Sequence, residues 1–184
     1  MVDAFISKEE LSLATAGKIL AEDPRVPLLI KGVSDGIRRY CGWHVFPVIK
    51  ETILLDSHGG RWLKLPSLNV KSISALKIND TLIDPASYSW SKRGFIHLKS
   101  GRFPDDYQRV EATFEHGFDN GSDLKQVAIQ IITNALASPM GVTREQAGSL
   151  SVSWSSTAPG VSGGLSILER DKALLDQYRL EEFE

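Results

Sequence analysis

The apolar residues of this chain change their spacing twice, and that switch fixes its class. Val26, Ile30, Val33, Ile37 and Tyr40 follow one another at four, three, four and three residues. That rhythm places a row of side chains on one face of a helix. From His44 to Phe118 the period falls to two, in β-branched-rich segments parted by turn residues. Ser122 reads as the cap of a third helix, where the helical spacing returns: Leu124, Val127, Ala128, Ile131, Ala135 and Leu136 share a face as far as Pro139, which ends the helix. The expected class is α+β. A helical core has long helices near 24–40 and 123–138 and a C-terminal helix near 167–179. An antiparallel sheet or sandwich is inserted over 44–118. With 184 residues the chain is long enough for one domain, 1–184, that carries the β block as a subdomain.

Local signals refine this outline. Ser7 and Glu10 form a capping box that opens a short first helix, expected to stop near Gly17. Asp23 and Pro24 read as the N-cap and first turn of the second helix, with Pro27 blurring its start. Inside the β block, Ser57-His58-Gly59-Gly60 turns into Arg61–Leu65, and Asn79-Asp80 turns Val70–Ile78 into Thr81–Ile83. Asp84-Pro85 precedes Tyr88–Trp90, Lys92-Arg93-Gly94 leads to Phe95–Leu98, and Arg109–His116 closes the series. Further on, Leu150, Val152 and Trp154 alternate with serines, the pattern of a half-buried strand. Residues 157–164 (TAPGVSGG) read as a flexible linker. A second capping box, Ser166 with Glu169, opens a helix bearing Leu168, Leu175 and Tyr178.

Composition excludes several classes. Lys and Arg total 21 against 23 Asp and Glu, a net charge of -2, which argues against a dedicated nucleic-acid binder. One cysteine, Cys41, leaves no disulfide framework and no multi-Cys metal site. No apolar run approaches the ~20 residues of a membrane span, and the N-terminus lacks the pattern of a secretory signal, so a soluble protein of a reducing compartment is expected. His44, His58, His97 and His116 fall in no ligand spacing, so they read as structural or solvated residues, and no metal or cofactor is expected. The carboxylate pairs Asp105-Asp106 and Asp80 with Asp84 read as turn residues. Cys41 with His44 is a conceivable nucleophile and base, but a small apolar residue at a helix end is the preferred reading. No nucleophile elbow, dinucleotide loop or phosphate loop occurs.

Surface contacts are the remaining candidates. Lys31, Arg38 and Arg39 read as a basic helix face suited to surface or intersubunit salt bridges. The strand of residues 149–155 either pairs within its own chain or adds to an edge of a neighbouring copy. A second reading of the whole chain is a small non-catalytic binding module that meets a protein or glycan through its β face. Trp43, Trp62 and Trp90 clustered on one face would mark it.

A run of longer segments points to a family. Asp35-Gly-Ile-Arg-Arg-Tyr-Cys-Gly-Trp-His44 closes a helix and is followed by Pro47. Leu65-Pro-Ser-Leu68, Tyr88-Ser-Trp90, Gly101-Arg-Phe-Pro104 and Glu115-His-Gly-Phe118 come next. Ala137-Ser-Pro139, Arg144-Glu-Gln146, Ser149–Trp154 and Leu174–Leu180 complete the order. Together these segments resemble the head-to-tail adaptors (head-completion connectors) of tailed bacteriophages, of the actinobacteriophage type. The resemblance implies a structural virion protein and not an enzyme, made in the bacterial cytoplasm and placed in the virion neck. It implies a homo-oligomeric ring, commonly of twelve copies, beneath the portal protein. Such a ring extends the channel for double-stranded DNA, without sequence-specific binding, and docks the next connector or tail component. Within that frame Leu150, Val152, Trp154, Leu168, Leu175 and Tyr178 are expected to touch subunits or neighbours, and Lys31, Arg38 and Arg39 to make charged ring contacts.

Overall fold

The computed structural model describes residues 4–137, 144–147, 150–153 and 167–181. The fold is α+β, and the chain divides into two compact units, one of residues 1–40 and 121–177, the other of 41–120 and 178–184.

In the first unit, α1 (Lys8–Ala14) starts at the expected box: Glu10 N donates to Ser7 Oγ at 3.1 Å and Ser7 N to Glu10 Oε2 at 2.9 Å. It ends at Ala14, short of Gly17, because Ala16 (φ 51°) and Gly17 (φ 74°) already turn left-handed. The second helix, α2 (Val26–Cys41), begins two residues later than the sequence suggests. Asp23 turns its carboxylate to the Arg25 amide (2.9 Å) and guanidinium (2.7 Å). Pro27 therefore sits in the first turn, where a missing N–H costs nothing. Val26, Ile30, Val33 and Ile37 are buried as the spacing requires. Ser34, also buried, is satisfied on both sides: it donates to Ile30 O (2.7 Å) and accepts from Phe5 N (3.1 Å).

The third helix, α3 (Ser122–Ala137), buries Leu124, Val127, Ala128 and Ile131, and adds Ile132, so its apolar stripe is wider than the periodic set. Ser122 lies inside the helix and not at its cap, since Lys125 N bonds Gly121 O (2.8 Å). Helix α4 (Glu169–Leu175) is shorter than expected and runs into a single 3-10 turn, Asp176–Tyr178. Its start is held by Asp171, whose carboxylate accepts from Leu168 N (3.1 Å), while the expected cap Ser166 lies outside the described residues.

The strand of residues 149–155 has its partner close by. β9 (Leu150–Ser153) pairs antiparallel with β8 (Arg144–Ala147), with Ala147 opposite Leu150 and Arg144 opposite Ser153. Neither joins another sheet among the described residues.

The second unit holds two antiparallel sheets. The larger has the order β1 (Ile49–His58), β7 (Asp105–His116), β3 (Val70–Ile78), β4 (Thr81–Leu82); the smaller has β2 (Trp62–Lys64), β6 (Phe95–Leu98), β5 (Tyr88–Trp90). Asn79 and Asp80, both at positive φ, make the tight turn between β3 and β4. One buried cluster draws on both sheets, with Leu76, Val110 and Phe114 facing Leu63, Tyr88 and Ile96. The expected turn at Ser57 starts later, at Gly59: Ser57 is buried in β1 and donates to Pro104 O (2.6 Å).

Gly117 fixes the end of β7. Its φ is 112°, and a Cβ there would stand 2.6 Å from Pro47 O. Asn69 brackets it, taking the Gly117 N–H on its carbonyl (3.0 Å) and donating Nδ2 to Gly117 O (2.8 Å). Gly117→Ala should therefore lower stability by at least about 2 kcal/mol, read as a lower denaturant midpoint at unchanged m. Gly36→Ala, inside α2 with nothing within 4 Å of the added methyl, should raise stability by about 0.5–1 kcal/mol in the same assay.

Candidate functional site

The polar side chains with catalytic potential are absorbed into packing. Cys41 is fully buried. His44 donates Nε2–H to Pro47 O (2.6 Å), so it is committed to the loop that enters β1. The burial of Cys41 closes its thiol to a substrate, which favours the reading of a small apolar residue at a helix end. His116 is 1% exposed and faces Glu51 Oε1 at 2.9 Å. Its ring is boxed by Phe114 (4.6 Å), His44 (5.7 Å) and Trp43 (6.0 Å). The hydrogen bond and charge of His116, with help from His44, hold the Glu51 carboxyl below its ordinary range against the opposing effect of burial. No cluster that could hold a metal ion occurs among the described residues. No helix among them is long and apolar enough to cross a membrane.

The residues expected to make contacts are sorted by exposure. Leu175 is fully buried in its own chain, which takes it off the list of free contacts. The apolar side chain that α4 leaves open is Leu174, at 50% exposure. Leu168 is half-buried at the helix start. Tyr178 is half-buried too: its ring meets Phe118 edge-on at 5.3 Å, and its carbonyl accepts Trp43 Nε1–H at 2.7 Å. Leu150 and Val152 lie in β9, and Trp154 lies outside the described residues.

The basic face of α2 is also divided. Lys31 and Arg38 share Asp35, at 2.6 Å and 3.8 Å, and the Lys31 bond chiefly lowers the carboxyl's pKa. The Arg38 side chain is only 12% exposed, with its guanidinium 4.9 Å above the Phe5 ring. It lies at the edge of the apolar stripe and lays its stem along the core, so the expectation of an exposed Arg38 is corrected. Arg39 stays exposed.

The tryptophans do not share one face. Trp43 is buried, while Trp62 (63% exposed) stacks on His97 at 4.2 Å, on the outer side of the small sheet. Trp90 is opposite Ile96, so it belongs to the core-facing row, at its rim. What stands open instead is a set of separate surfaces: Leu13 (83%), Leu20 (62%) and Leu28 (73%) in the helical unit, and Leu54 (56%), Trp62 and Tyr107 (74%) in the β unit. Scattered singly, exposed side chains of this kind are ordinary; a contiguous patch of them is what marks a protein interface.

A family model described as head completion protein matches residues 4–134, which span α1, α2, both sheets and nearly all of α3. The chain belongs to the head completion protein family. No curated protein matches it. Among solved structures, it is similar in fold to a chain from the neck of a native gene transfer agent particle, computed with C12 symmetry. The TM-score is 0.60 at 15% identity, covering 100% of this chain and 97% of that one. A chain from the neck of an empty particle, computed with C6 symmetry, gives 0.59 at 14% identity, covering 97% and 91%. A chain from the native particle's virion gives 0.55 at 15%, covering 89% and 80%. At these identities the likeness shows the fold, and it extends past the family match over the hairpin and α4.

The Glu51–His116 pair makes an acid-stability prediction for this member of the family. A carboxyl held below its ordinary 4.5 contributes stability that is complete above that value and is lost as pH falls through the lowered one. Glu51→Gln should flatten the acid limb of a melting-temperature profile between about pH 5 and pH 3. An acid limb as steep as that of the wild type would assign the loss to other carboxylates.

Proposed function

We propose that this protein is a structural component of a virion neck: a ring beneath the portal protein that continues the DNA channel and joins capsid to tail. The observation that carries the reading is the head completion match across the helix–sheet–helix block. The full-length fold likeness to neck chains, one from a particle computed with C12 symmetry, supports a ring and a copy number of twelve. The chain is non-catalytic in this reading, because its cysteine and its most buried histidine are engaged in packing. Its partners are further copies of itself, the portal protein above, the next connector or tail component below, and double-stranded DNA that passes without sequence-specific contact.

A ring of identical subunits needs two unlike adhesive surfaces on each copy, because its contacts are head-to-tail. The hairpin β8–β9 suits one of them. A two-stranded sheet is marginal by itself in water, and among the described residues no further strand pairs with its outer edges. Leu150, Val152 and Trp154 would be its apolar contacts; the linker expected over residues 157–164 lies outside the described residues. The binding-module reading is less favoured, since Trp43 is buried and Trp62 and Trp90 belong to opposite rows.

Trp154→Ala with Val152→Ser should give a protein with unchanged circular dichroism and melting temperature that is poorly incorporated into particles. Electron cryomicroscopy of particle necks reads the outcome. A full ring built from the double variant removes the hairpin as a contact, and absence of the wild-type chain from mature particles overturns the assignment.

A further inference from the structure

The segment after α4 is fastened to the β unit. Residues 178–184 belong to the compact unit of the two sheets, although α4 belongs to the other. Two hydrogen bonds to its backbone hold it beside the start of that unit: Tyr178 O accepts Trp43 Nε1–H (2.7 Å), and Leu180 N donates to Cys41 O (2.8 Å). Apolar contacts back them. Tyr178 meets Phe118 edge-on, Phe118 lies 5.9 Å from Trp43, and a Cβ on Gly42 would stand 3.5 Å from Leu180 Cβ. The segment is therefore anchored as far as Leu180, and Glu181 follows it, exposed and within electrostatic reach of Lys64 in β2. Burial lowers the Lys64 ammonium below its ordinary range; Glu181 acts against that, and Arg93 with it.

Lys64 belongs to the outer side of the small sheet. In β2, Trp62 and Lys64 alternate with buried Leu63; in β6, Phe95 and His97 alternate with buried Ile96 and Leu98. Cross-strand neighbours meet on that side: Trp62 stacks on His97 (4.2 Å) and is still 63% exposed, and the Lys64 ammonium stands 4.9 Å over Phe95. Cations flank these aromatics in the sequence. Residues 59–70 supply Arg61 and Lys64, and residues 85–104 supply Lys92, Arg93, Lys99 and Arg102, with no carboxylate in either segment. Arg61, Lys92 and Arg93 are exposed and make no ion pair among the described residues.

The residues after Leu180 carry the complementary pattern. Glu181-Glu182-Phe183-Glu184 sets three carboxylates around one aromatic, with no cation among them, and residues 182–184 lie outside the described residues. Three residues reach about 10 Å, against about 7 Å between alternate residues of a strand, so a run starting beside Lys64 is long enough to pass Trp62. We infer that residues 181–184 lie over the outer side of the small sheet of their own copy, with the glutamates against Lys64, Arg93 and Arg61 and with Phe183 against the exposed ring of Trp62. The contact masks a polyanion-binding face in the free subunit. It does not rest on the neck reading, because both partners are parts of one chain. Nucleic-acid phosphates fit the same cations, and a single exposed ion pair contributes little. The acidic run is nevertheless the favoured occupant, because its anchors at Tyr178 and Leu180 hold it beside the face at an effective concentration on the order of millimolar.

The test uses the purified full chain. A carbodiimide, which condenses a carboxylate with an amine at contact distance, should join Glu181, Glu182 or Glu184 to Lys64 or Lys92, and mixed isotope labelling should place both ends in one copy. Glu181→Gln with Glu182→Gln and Glu184→Gln keeps the length of the segment and its anchors. This variant should bind a short DNA duplex about tenfold more tightly at low salt, and Arg61→Glu with Arg93→Glu added should cancel the gain. Glu9→Gln with Glu22→Gln and Glu169→Gln, an equal change of charge in the other compact unit, should leave duplex affinity near that of the wild type. Links that are missing, or that form only between copies or only to other lysines, overturn the inference. So does a carboxamide variant with no gain, a gain that survives the loss of Arg61 and Arg93, or an equal gain in the control. None of these outcomes touches the assignment to a virion neck, which the composition of mature particles decides.

Discussion

Strand β7 is the element on which the β unit depends. It pairs with β1 between Asp105 and His116 and with β3 between Val110 and His116, and His116 is opposite both Ile49 and Val70. A central strand of this kind has one row for the core and one for the outside. Val110, Ala112, Phe114 and His116 fill the buried row, so no other strand contributes as much to the sheet's interior. Glu111, Thr113 and Glu115 form the outward row. Both ends of the strand carry backbone conformations that ordinary pairing would not produce: the stretch around Gln108 at one end and Gly117 against Pro47 at the other. The first displays Tyr107; the second lets the chain turn tightly between the sheet and the approach to α3.

Much of this was readable in the sequence wherever the cause is local. The Ser7–Glu10 box, the Asn79-Asp80 turn and the row Val26 to Ile37 need only neighbouring residues, and each stands where the pattern puts it. Boundaries slipped where one side chain chose between two local partners. Asp23 bonded Arg25 and moved the start of α2, and α4 starts after Leu168, whose N–H Asp171 accepts. Long-range choices were hidden. Periodicity says which face of α4 is apolar but not that Leu175 is covered completely while Leu174 stays open. Nor does it say that Arg38 would fold back over Phe5. The partner of β9 could have been found: Arg144–Ala147 is separated from it by Gly148-Ser149, a dipeptide that commonly joins two strands.

The candidate site of this protein is therefore a set of surfaces and not a pocket, and that follows from how its reactive residues are used. His44, His116 and Glu51 cluster near one end of β1 and β7, where a catalytic centre could have been built. Burial and hydrogen bonding instead use them to join the loop after α2 to the sheet. The groups left free to interact are leucines, aromatics and unpartnered cations spread over several outer faces, and such groups bind by area and charge.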